Sequence, residues 1–345
     1  MSYTQSLLTA ARTIDIRQSD MPEAIEEGWV RLRLATASIC GTDMHYFRHF
    51  ANAGFFLDYP VTLGHEACAY VENANGHDFE VGQLVAINPV ITFGSSPEAR
   101  RGDINMCPDK KFPGSATTKP HIDGFFREYF DFPARCLRPV ASSINPDHLT
   151  FAEPLACAMH CVNKAEVAAG MKVLVTGCGP MGLLAVIACV AKGAHIDVTD
   201  VKREAVQAAK QVGARSGFVV ATDDLTGLSN TYDVVIEASG SPHGYNQALE
   251  ACRKQGTVGV LSLIQPTDVP INLHLNALKE INCVGSILFT REFDHAVDLI
   301  VGGSVNFDAI IAGQFPVSQT LEACELMASG GAVGKVLIKP EDAFA

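Results

Sequence analysis

Apolar and polar positions follow a strand-like pattern in the first part of the chain. Residues 30–34 alternate apolar and charged side chains, which is typical of a half-buried strand. Residues 81–87 predict another strand, and glycines and prolines interrupt such runs up to about residue 140. No internal repeat occurs at the usual periods. The pattern predicts an irregular, β-rich first domain.

From residue 153 onward the pattern changes, because short β-branched runs now alternate with helix-like segments. This alternation predicts a parallel sheet with right-handed crossovers, and therefore an α/β fold. After about residue 290 the alternation ends, and residues 334–338 predict a closing strand. We assign residues 1–152 and 290–345 to the first domain and residues 153–289 to the second. The predicted strands are 172–176, 195–199, 232–237 and 256–261, and the predicted helices are 153–167, one ending at 192, 202–212 and 241–254.

Composition and charge limit the classes of protein to consider. The 345 residues suffice for two domains of about 150 residues each. A net charge of −12 without a Lys/Arg-rich run argues against a nucleic-acid partner and against an anionic membrane. The longest apolar run, 183–191, is too short to span a bilayer, and the N-terminus lacks signal-peptide features. Eleven cysteines at scattered spacings indicate reduced thiols, so we predict a cytoplasmic protein.

A glycine-rich turn follows the predicted strand at 172–176 and precedes a helix. Its sequence, GCGPMG, matches the G-x-G-x-x-G turn of dinucleotide-binding folds. The first glycine allows the tight turn, the second admits a pyrophosphate, and the third lets helix and strand pack closely. The free N–H groups and the dipole of the helix N-terminus favour an anion. The predicted cofactor-binding residues of this turn are Gly177, Gly179, Pro180, Met181 and Gly182.

Asp200 ends the second predicted strand, 23 positions after the first glycine of the turn (200 − 177). An acidic side chain at this place accepts hydrogen bonds from ribose hydroxyls, and its charge repels a 2′-phosphate. Lys202 and Arg203 follow, and their charges can partly offset that repulsion. We predict NAD, leave NADP open, and count Asp200 and Arg203 among the cofactor-binding residues. The alternative is a nucleotide-free α/β fold, such as a flavodoxin-like one, with an incidental turn.

Residues 39–66 form a candidate metal site. They contain Cys40 near the start and His65 and Glu66 at the end, and Zn²⁺ accepts thiolate, imidazole and carboxylate ligands together. Taken alone, a cysteine and a histidine 25 positions apart (65 − 40) are usually packing or surface residues rather than metal ligands. The rest of the chain therefore decides whether the stretch binds a metal.

The β-rich domain with Gly-His-Glu, followed by a dinucleotide-binding unit, resembles the medium-chain, zinc-dependent alcohol and polyol dehydrogenases over essentially the whole chain. Within that family, EPL at 153–155 marks the polyol and sugar-acid branch, and residues 86–89, 112–116 and 151–156 are similar to L-idonate 5-dehydrogenases. The resemblance implies a GroES-like catalytic domain and a Rossmann domain with a doubly wound parallel sheet. Its motifs are ICGTD (39–43), LGHE (63–66), VGQLV (81–85), DGF (123–125), EPLA (153–156) and GCGPMG (177–182).

The resemblance also implies a catalytic zinc site. Cys40, His65 and Glu66 would bind the ion. Glu153 would be the fourth ligand or would bond to the zinc water. One thiolate and a carboxylate leave zinc a Lewis acid with an open position. Glu66 and Glu153 are therefore expected to be catalytic as well as metal-binding residues.

Two further residues of the first domain correspond to the family's proton path. Thr42 matches the hydroxyl that takes the substrate proton. His45 matches the histidine that passes this proton to solvent, and a pKa near neutrality suits that role.

A second, structural zinc occurs in many members of this family, held by four cysteines in a lobe. The matching positions of this sequence are Phe93, Ser96, Ala99 and Cys107. Because one thiolate cannot hold a closed tetrahedral site, we predict one zinc per subunit. The lobe, residues 92–111, is expected to be loop-like and more mobile.

The implied activity is the reversible oxidation of a secondary alcohol of a polyol or aldonate by NAD(P). The closest similarity implies oxidation of L-idonate to 5-dehydro-D-gluconate by a homotetramer or homodimer. Leu288 stands where polyol-type relatives often have an arginine, which weakens the case for an acidic substrate and keeps sorbitol or xylitol (L-iditol 2-dehydrogenase) as the alternative. Two more functions stay open on this fold: a zinc-independent reductase, which would lack these ligands, and a non-catalytic NAD(H)-binding protein.

Overall fold

Strands dominate the chain up to residue 140. The computed structural model describes residues 2–264 and 268–344. Short 3₁₀ turns lie at Ile104–Met106 and Ala134–Cys136. The other elements up to residue 164 are β1 (Ser2–Ala10), β2 (Thr13–Asp20), β3 (Trp29–Ser38), α1 (Gly41–His49), β4 (Ala51–Asn52), β5 (Phe55–Phe56), β6 (Glu66–Asn73), β7 (Leu84–Ile87), α2 (Pro97–Arg101), β8 (Tyr129–Pro133), β9 (Leu137–Pro139), α3 (Pro146–Leu149) and α4 (Ala152–Lys164).

Strands and helices alternate in the next part of the chain, and shorter elements close it. The alternating elements are β10 (Lys172–Thr176), α5 (Pro180–Ala191), β11 (His195–Asp200), α6 (Arg203–Gln211), β12 (Ser216–Val219), β13 (Tyr232–Glu237), α7 (Pro242–Ala251), β14 (Cys252–Val260), α8 (Leu273–Lys279) and β15 (Asn282–Gly285). The closing elements are α9 (Glu292–Val301), β16 (Ile311–Pro316), α10 (Thr320–Ala328) and β17 (Lys335–Lys339).

The chain divides into two compact units. The first comprises Met1–Glu153, Phe293–Gly303 and Ile311–Ala345, and the second comprises Pro154–Glu292 and Ser304–Ile310. Residues 290–292 and 304–310 were predicted in the first domain and Glu153 in the second, whereas the structure groups each of them with the other unit. The reason is local packing: Glu292 bonds to side chains of α4, and the short 3₁₀ turn Phe307–Ile310 packs against α6.

The first unit is built on a seven-stranded sheet of order β16-β17-β3-β6-β7-β9, with β8 paired to β3. β3 lies inside this sheet, and its apolar side chains Val30, Leu32 and Leu34 are fully buried, as the alternation at 30–34 predicted. The strand predicted at 81–87 is shorter, because Gly82 adopts φ +83° in a turn and β7 begins only at Leu84.

The second unit contains a parallel six-stranded sheet of order β12-β11-β10-β13-β14-β15. Numbered along the chain, this is the order 3-2-1-4-5-6 of dinucleotide-binding sheets, so the predicted α/β fold class is confirmed. The helix predicted at 241–254 ends at Ala251, because Cys252 already pairs with Tyr232 as the first residue of β14. A register shift then follows, and Thr257 pairs with Val234.

Candidate metal and dinucleotide sites

Asp43 joins the start of α1 to the segment that precedes His65. Its Oδ2 accepts a hydrogen bond from the backbone N–H of Cys40 at 2.8 Å, and its Oδ1 accepts one from Gly64 at 3.0 Å. Burial raises the pKa of this carboxyl, although the charge of His65 opposes the effect. The two hydrogen bonds fix the backbone beside both of the predicted ligands Cys40 and His65.

Cys40, His65 and Glu66, which the sequence analysis predicted as metal ligands, come together in the first unit. The Cys40 thiol, a ring nitrogen of His65 and a carboxylate oxygen of Glu66 all lie within 4.8 Å of one another. His65 and Glu66 are buried, and Cys40 is partly exposed. Three donors of these types are suited to a tetrahedral zinc ion that keeps a fourth position for substrate.

The imidazole of His65 lies in surroundings that favour a cation. Its Nδ1 is buried without a hydrogen-bond partner among the described residues, and Asp43 Oδ1 is 3.6 Å away. Burial by itself lowers the pKa of His65, but the negative charges of Asp43 and Cys40 raise it to about 10. A metal ion bound by the ring replaces its proton, so a site that stabilises positive charge here fits Zn²⁺.

Glu66 has a cationic partner within the protein. Lys335 Nζ donates to both carboxylate oxygens, at 2.6 Å for Oε2, and the Ser38 hydroxyl also donates to Oε2. Burial alone would lower the pKa of Lys335, but the charges of Glu66 and Cys40 raise it. Lys335 therefore holds the Glu66 carboxylate next to Cys40 and His65, the other two members of the metal-binding group.

Sequence reasoning missed Lys335 and Ser38. Lys335 opens the closing strand β17 and lies 269 residues after Glu66, so no motif spacing connects the two. A lysine inside an otherwise apolar strand is a signal that an acid lies nearby. That signal does not say which acid is the partner.

Glu153, the predicted fourth ligand, is a buried residue in the first turn of α4. Its charge contributes to the raised pKa of His65 and of Lys335, which places it near both groups. Among the described residues, the three-donor group is formed by Cys40, His65 and Glu66 without it. Direct ligation by Glu153 stays a prediction.

Thr42 and His45 lie three positions apart on α1 and therefore on the same side of the helix. Both are partly exposed, and they follow Cys40 by two and by five positions (42 − 40 and 45 − 40). Burial first, and then the charges of Arg48 and His49, lower the pKa of His45. The imidazole is consequently neutral at pH 7 and available to accept a proton.

The sequence predicts a loop-like lobe at 92–111, but the structure has the short helix α2 there, which Ser96 caps by accepting a hydrogen bond from the N–H of Ala99 at 3.1 Å. The greater mobility of the lobe stays a prediction. The Ser96 hydroxyl also lies 3.6 Å from the buried Cys107 thiol. Phe93 is exposed and lies near Lys111 and Arg135. The prediction of a single zinc per subunit stays a prediction.

The glycine-rich turn of the second unit has the geometry that a pyrophosphate requires. Gly177 adopts φ +87°, and a Cβ there would lie 2.5 Å from the Cα of Ser239. A Cβ on Gly182 would lie 1.9 Å from the carbonyl oxygen of Gly177, which shows how closely α5 approaches β10. At Gly179 a Cβ would meet nothing within 4 Å, so open space lies above the N-terminus of α5. Pro180 and Met181 form the first turn of that helix.

Asp200 lies beside this turn, at the carboxyl end of β11. Its Oδ2 accepts a hydrogen bond from the N–H of Cys178 at 2.6 Å, and its Oδ1 accepts one from Lys202 at 2.8 Å. Each carboxylate oxygen has two lone pairs, so acceptor capacity remains for ribose hydroxyls. Arg203 is exposed at the start of α6.

Comparison with known proteins bears on both sites. Residues 26–142 match the alcohol dehydrogenase GroES-like domain, and residues 180–302 match the zinc-binding dehydrogenase domain. The L-idonate 5-dehydrogenase (NAD(P)(+)) of Escherichia coli (strain K12) is 31% identical over 85% of this chain and 86% of its own. The sorbitol dehydrogenase of Bacillus subtilis (strain 168) is 27% identical over 91% of this chain and 90% of its own.

None of the helices in the described residues is long and apolar enough to cross a membrane.

Solved structures agree with these sequence matches. The crystal structure of L-idonate 5-dehydrogenase from Escherichia coli superimposes with a TM-score of 0.93, at 27% identity, over 98% of both chains. A Sinorhizobium meliloti 1021 protein described as a zinc-binding dehydrogenase, bound to NADP, gives 0.88 at 27% identity, over 99% of this chain and 100% of its own. The resemblance drawn from the sequence is confirmed: the chain belongs to the zinc-dependent alcohol dehydrogenase family, as an oxidoreductase of its polyol and sugar-acid branch.

Proposed function

We propose that this protein oxidises a secondary alcohol of an aldonate or polyol with NAD, and that L-idonate, giving 5-dehydro-D-gluconate, is its substrate. The main support for the proposal is the group of Cys40, His65 and Glu66, whose donor atoms lie within 4.8 Å of one another. The similarity to the Escherichia coli L-idonate 5-dehydrogenase supports the choice of substrate.

Residues of the first unit would hold the zinc ion and move the substrate proton to solvent. When bound, Zn²⁺ supplies a Lewis acid for the alcohol oxygen, and NAD accepts the hydride. Cys40, His65 and Glu66 would hold the single zinc, with Glu153 beside them. The Thr42 hydroxyl would then take the substrate proton. His45, neutral because its pKa is lowered, would carry this proton to solvent.

The second unit would bind the cofactor. The pyrophosphate would lie over Gly179 at the N-terminus of α5, and Asp200 would accept hydrogen bonds from the adenosine ribose. The negative charge of Asp200 favours NAD over NADP. Arg203, three positions after Asp200 (203 − 200), would bind near the same ribose. NADP is the second cofactor to test, because the Sinorhizobium meliloti structure is bound to NADP.

A neutral polyol such as sorbitol or xylitol is the second candidate substrate. Leu288 supplies no charge at a position where polyol-type relatives often have an arginine. A carboxylate substrate is bound most strongly by a cationic side chain such as arginine. A leucine at this position therefore favours a neutral substrate. The similarity to the Bacillus subtilis sorbitol dehydrogenase supports the same alternative.

The assembly we propose is a homodimer or a homotetramer, in which two copies meet along β15. This strand ends the order of the second sheet. Leu273 and Leu278 on α8, just before β15, are 70% and 65% exposed, and Ile287, just after it, is 48% exposed. Apolar side chains beside a sheet edge are a surface that a second copy would cover.

All eleven cysteines are free thiols, which supports a cytoplasmic location.

The test is an initial-rate panel of L-idonate, D-gluconate, sorbitol, xylitol and L-threonine, each with NAD and with NADP. We expect the highest kcat/KM with L-idonate and NAD. The variant His65→Ala should lose turnover and zinc together, because the ligand set would be incomplete. His77→Ala, which changes a partly exposed histidine in the turn before β7, should keep both. Normal turnover by a zinc-free His65→Ala protein would contradict the proposal.

A further inference from the structure

The carboxyl ends of the neighbouring parallel strands β10, β13, β14 and β15 lie side by side at one edge of the second sheet. In open parallel sheets a dinucleotide binds outside this edge, at the strand where the order reverses, which here is β10. Since Asp200 at the end of β11 would take the adenosine ribose, the nicotinamide half would extend to the other side, over β13, β14 and β15. The register partners at the four ends are, in order, Thr176, Glu237, Val260 and Gly285.

The β15–α9 loop, residues 286–291, leaves the end of this row. It lies three strand spacings from the glycine-rich turn, or about 14 Å. Leu288 in this loop adopts φ +51°, a left-handed conformation that is strained for a leucine. Such a conformation persists only where surrounding contacts enforce it.

Glu292 supplies contacts at the far end of the loop. Its Oε2 accepts hydrogen bonds from the N–H of Thr290 at 2.9 Å, from the hydroxyl of Thr290 at 3.2 Å and from the N–H of Arg291 at 3.0 Å. Glu292 is only 6% exposed. Burial alone would raise its pKa, but the hydrogen bonds from His160 and from the Thr290 amide hold that pKa far below its usual range. The carboxylate is therefore charged and anchors the last two residues of the loop.

One face of α4 holds this carboxylate and the near end of the loop. His160 Nδ1 lies 3.2 Å from Glu292 Oε1, and Asn163 Nδ2 donates to the same oxygen at 3.1 Å. His160 is 7% exposed, and its Nδ1 must carry the proton because the carboxylate can only accept. Lys164 Nζ donates to the carbonyl of Gly285 at 2.6 Å. The spacing i, i+3, i+4 places the three donors on one side of the helix.

We propose that His160 and Glu292 are positioning residues that hold the β15–α9 loop in place for the nicotinamide half of the cofactor. The proposal rests on the proposed function, because it requires that the protein binds a nicotinamide dinucleotide. Neither residue touches the reacting atoms in this role. Glu292, held by His160, fixes the far end of the loop, and Lys164 fixes the near end, so that the loop backbone does not need to be ordered when the cofactor binds.

The test compares two ligands of the zinc-loaded protein: NADH, and ADP-ribose, which lacks the nicotinamide. His160→Leu removes the donor to Glu292, and we expect it to weaken NADH binding about tenfold, the effect of losing one charge-assisted hydrogen bond. ADP-ribose binding and zinc content should stay at the wild-type level. His160→Asn places an amide donor near the position of Nδ1 and should restore most of the NADH affinity. Glu292→Gln, which removes the charge at similar size, gives a second variant with the same expectation.

Tyr232→Phe is the matched control. Its hydroxyl donates to Asp197 Oδ2 at 2.9 Å, so the variant also loses one hydrogen bond to a carboxylate, but at the amino end of β13, the opposite edge of the sheet. Both dissociation constants should be unchanged. Wild-type NADH affinity in both His160→Leu and Glu292→Gln, or an equal loss for both ligands, would overturn the positioning role. A wild-type protein that binds neither ligand would overturn the proposed function itself, and the role with it.

Discussion

Glu66, Lys335 and Asp43 are charged side chains that lie almost completely out of solvent, at 0%, 1% and 0% exposure. A buried charge without a partner costs several kcal/mol, so each of these groups requires its neighbours. Lys335 pairs with Glu66, and Asp43 accepts hydrogen bonds from two backbone amides. At the scale of residues, Lys335 holds the ligand Glu66, and Asp43 holds the backbone beside Cys40 and His65, without contact with substrate in the proposed reaction.

The pH dependence of turnover should report the environment of His45. Burial and the charges of Arg48 and His49 lower the pKa of this imidazole below its usual value of about 6.5. A neutral His45 is the form that accepts a proton, so we expect kcat for alcohol oxidation to fall on the acid side only below about pH 6.5. Arg48→Gln removes one positive charge, raises the pKa of His45, and should move this acid limb to higher pH.

Rate profiles of the wild type and of Arg48→Gln at saturating substrate are the measurement. His45→Gln, which cannot titrate, is the companion variant and should lack this limb. An acid limb at the same pH in all three proteins would assign it to another group.

The end of α7 shows how one element depends on another. The last carbonyl groups of a helix have no partners within the helix, and a cation near them also complements the helix dipole. Lys279, at the end of α8, donates to the carbonyls of Leu249, Glu250 and Cys252 at 2.8, 2.7 and 2.9 Å. Burial lowers the pKa of this lysine, and the carbonyl contacts compensate for its removal from water.

Replacement of Lys279 by methionine should destabilise the second unit by about 3 kcal/mol, because it leaves buried carbonyl groups without a donor. The measurement is the midpoint of urea unfolding, followed by far-UV circular dichroism. Lys254→Met changes an exposed lysine close in sequence and should shift the stability by less than about 0.5 kcal/mol. Equal midpoints for the two variants would show that Lys279 does not support the end of α7.

The lobe offers a second test at the scale of elements. Two thiolates that bind one tetrahedral zinc at about 2.3 Å lie about 3.8 Å apart, and the Ser96 hydroxyl already lies 3.6 Å from the Cys107 thiol. The triple variant Phe93→Cys, Ser96→Cys, Ala99→Cys should therefore complete a four-thiolate site. Metal analysis should give two zinc ions per chain, against one in the wild type. The matched variant Phe93→Ala, Ser96→Ala, Ala99→Ser should keep one. Equal metal content in all three would mean that these positions do not form the lobe's metal site.

At the scale of the whole molecule, each unit has its own core. Val30, Leu32 and Leu34 of β3 belong to the core of the first unit. Leu174, Val235 and Val258, on the neighbouring strands β10, β13 and β14, belong to a core of the second. The exposed side chains of Leu273, Leu278 and Ile287 around β15 belong to neither of these two clusters, and they form the surface at which we propose that a second copy binds.

Assembly should depend on this exposed surface. The double variant Leu273→Asp, Leu278→Asp places two charges on the face proposed to meet a second copy, and we expect a lower molar mass by light scattering after size exclusion. Val81→Asp changes a valine that is 73% exposed, in a turn of the first unit, and should keep the wild-type mass. An unchanged mass for the double variant would place the contact elsewhere.

Much of the second unit could be predicted because its signals are local. The strands predicted at 172–176 and 232–237 coincide with β10 and β13, since short apolar runs rich in β-branched residues favour a buried strand. The pattern of apolar and polar residues did not predict the edge strands β12 and β15. Each has only four residues, with a mixed or mostly exposed pattern, so their structure depends on the neighbouring strand.

The sequence by itself determined which chemistry is available: a glycine-rich turn between strand and helix, an acidic residue after the second strand, and the ligand types Cys40, His65 and Glu66. Only the tertiary structure decided which buried groups meet. Lys335 reaches Glu66 across 269 residues because β17 pairs with β3, which in turn pairs with β6. The partner of a buried charge is fixed by sheet order and register, and these are properties of the folded chain that no spacing along the sequence contains.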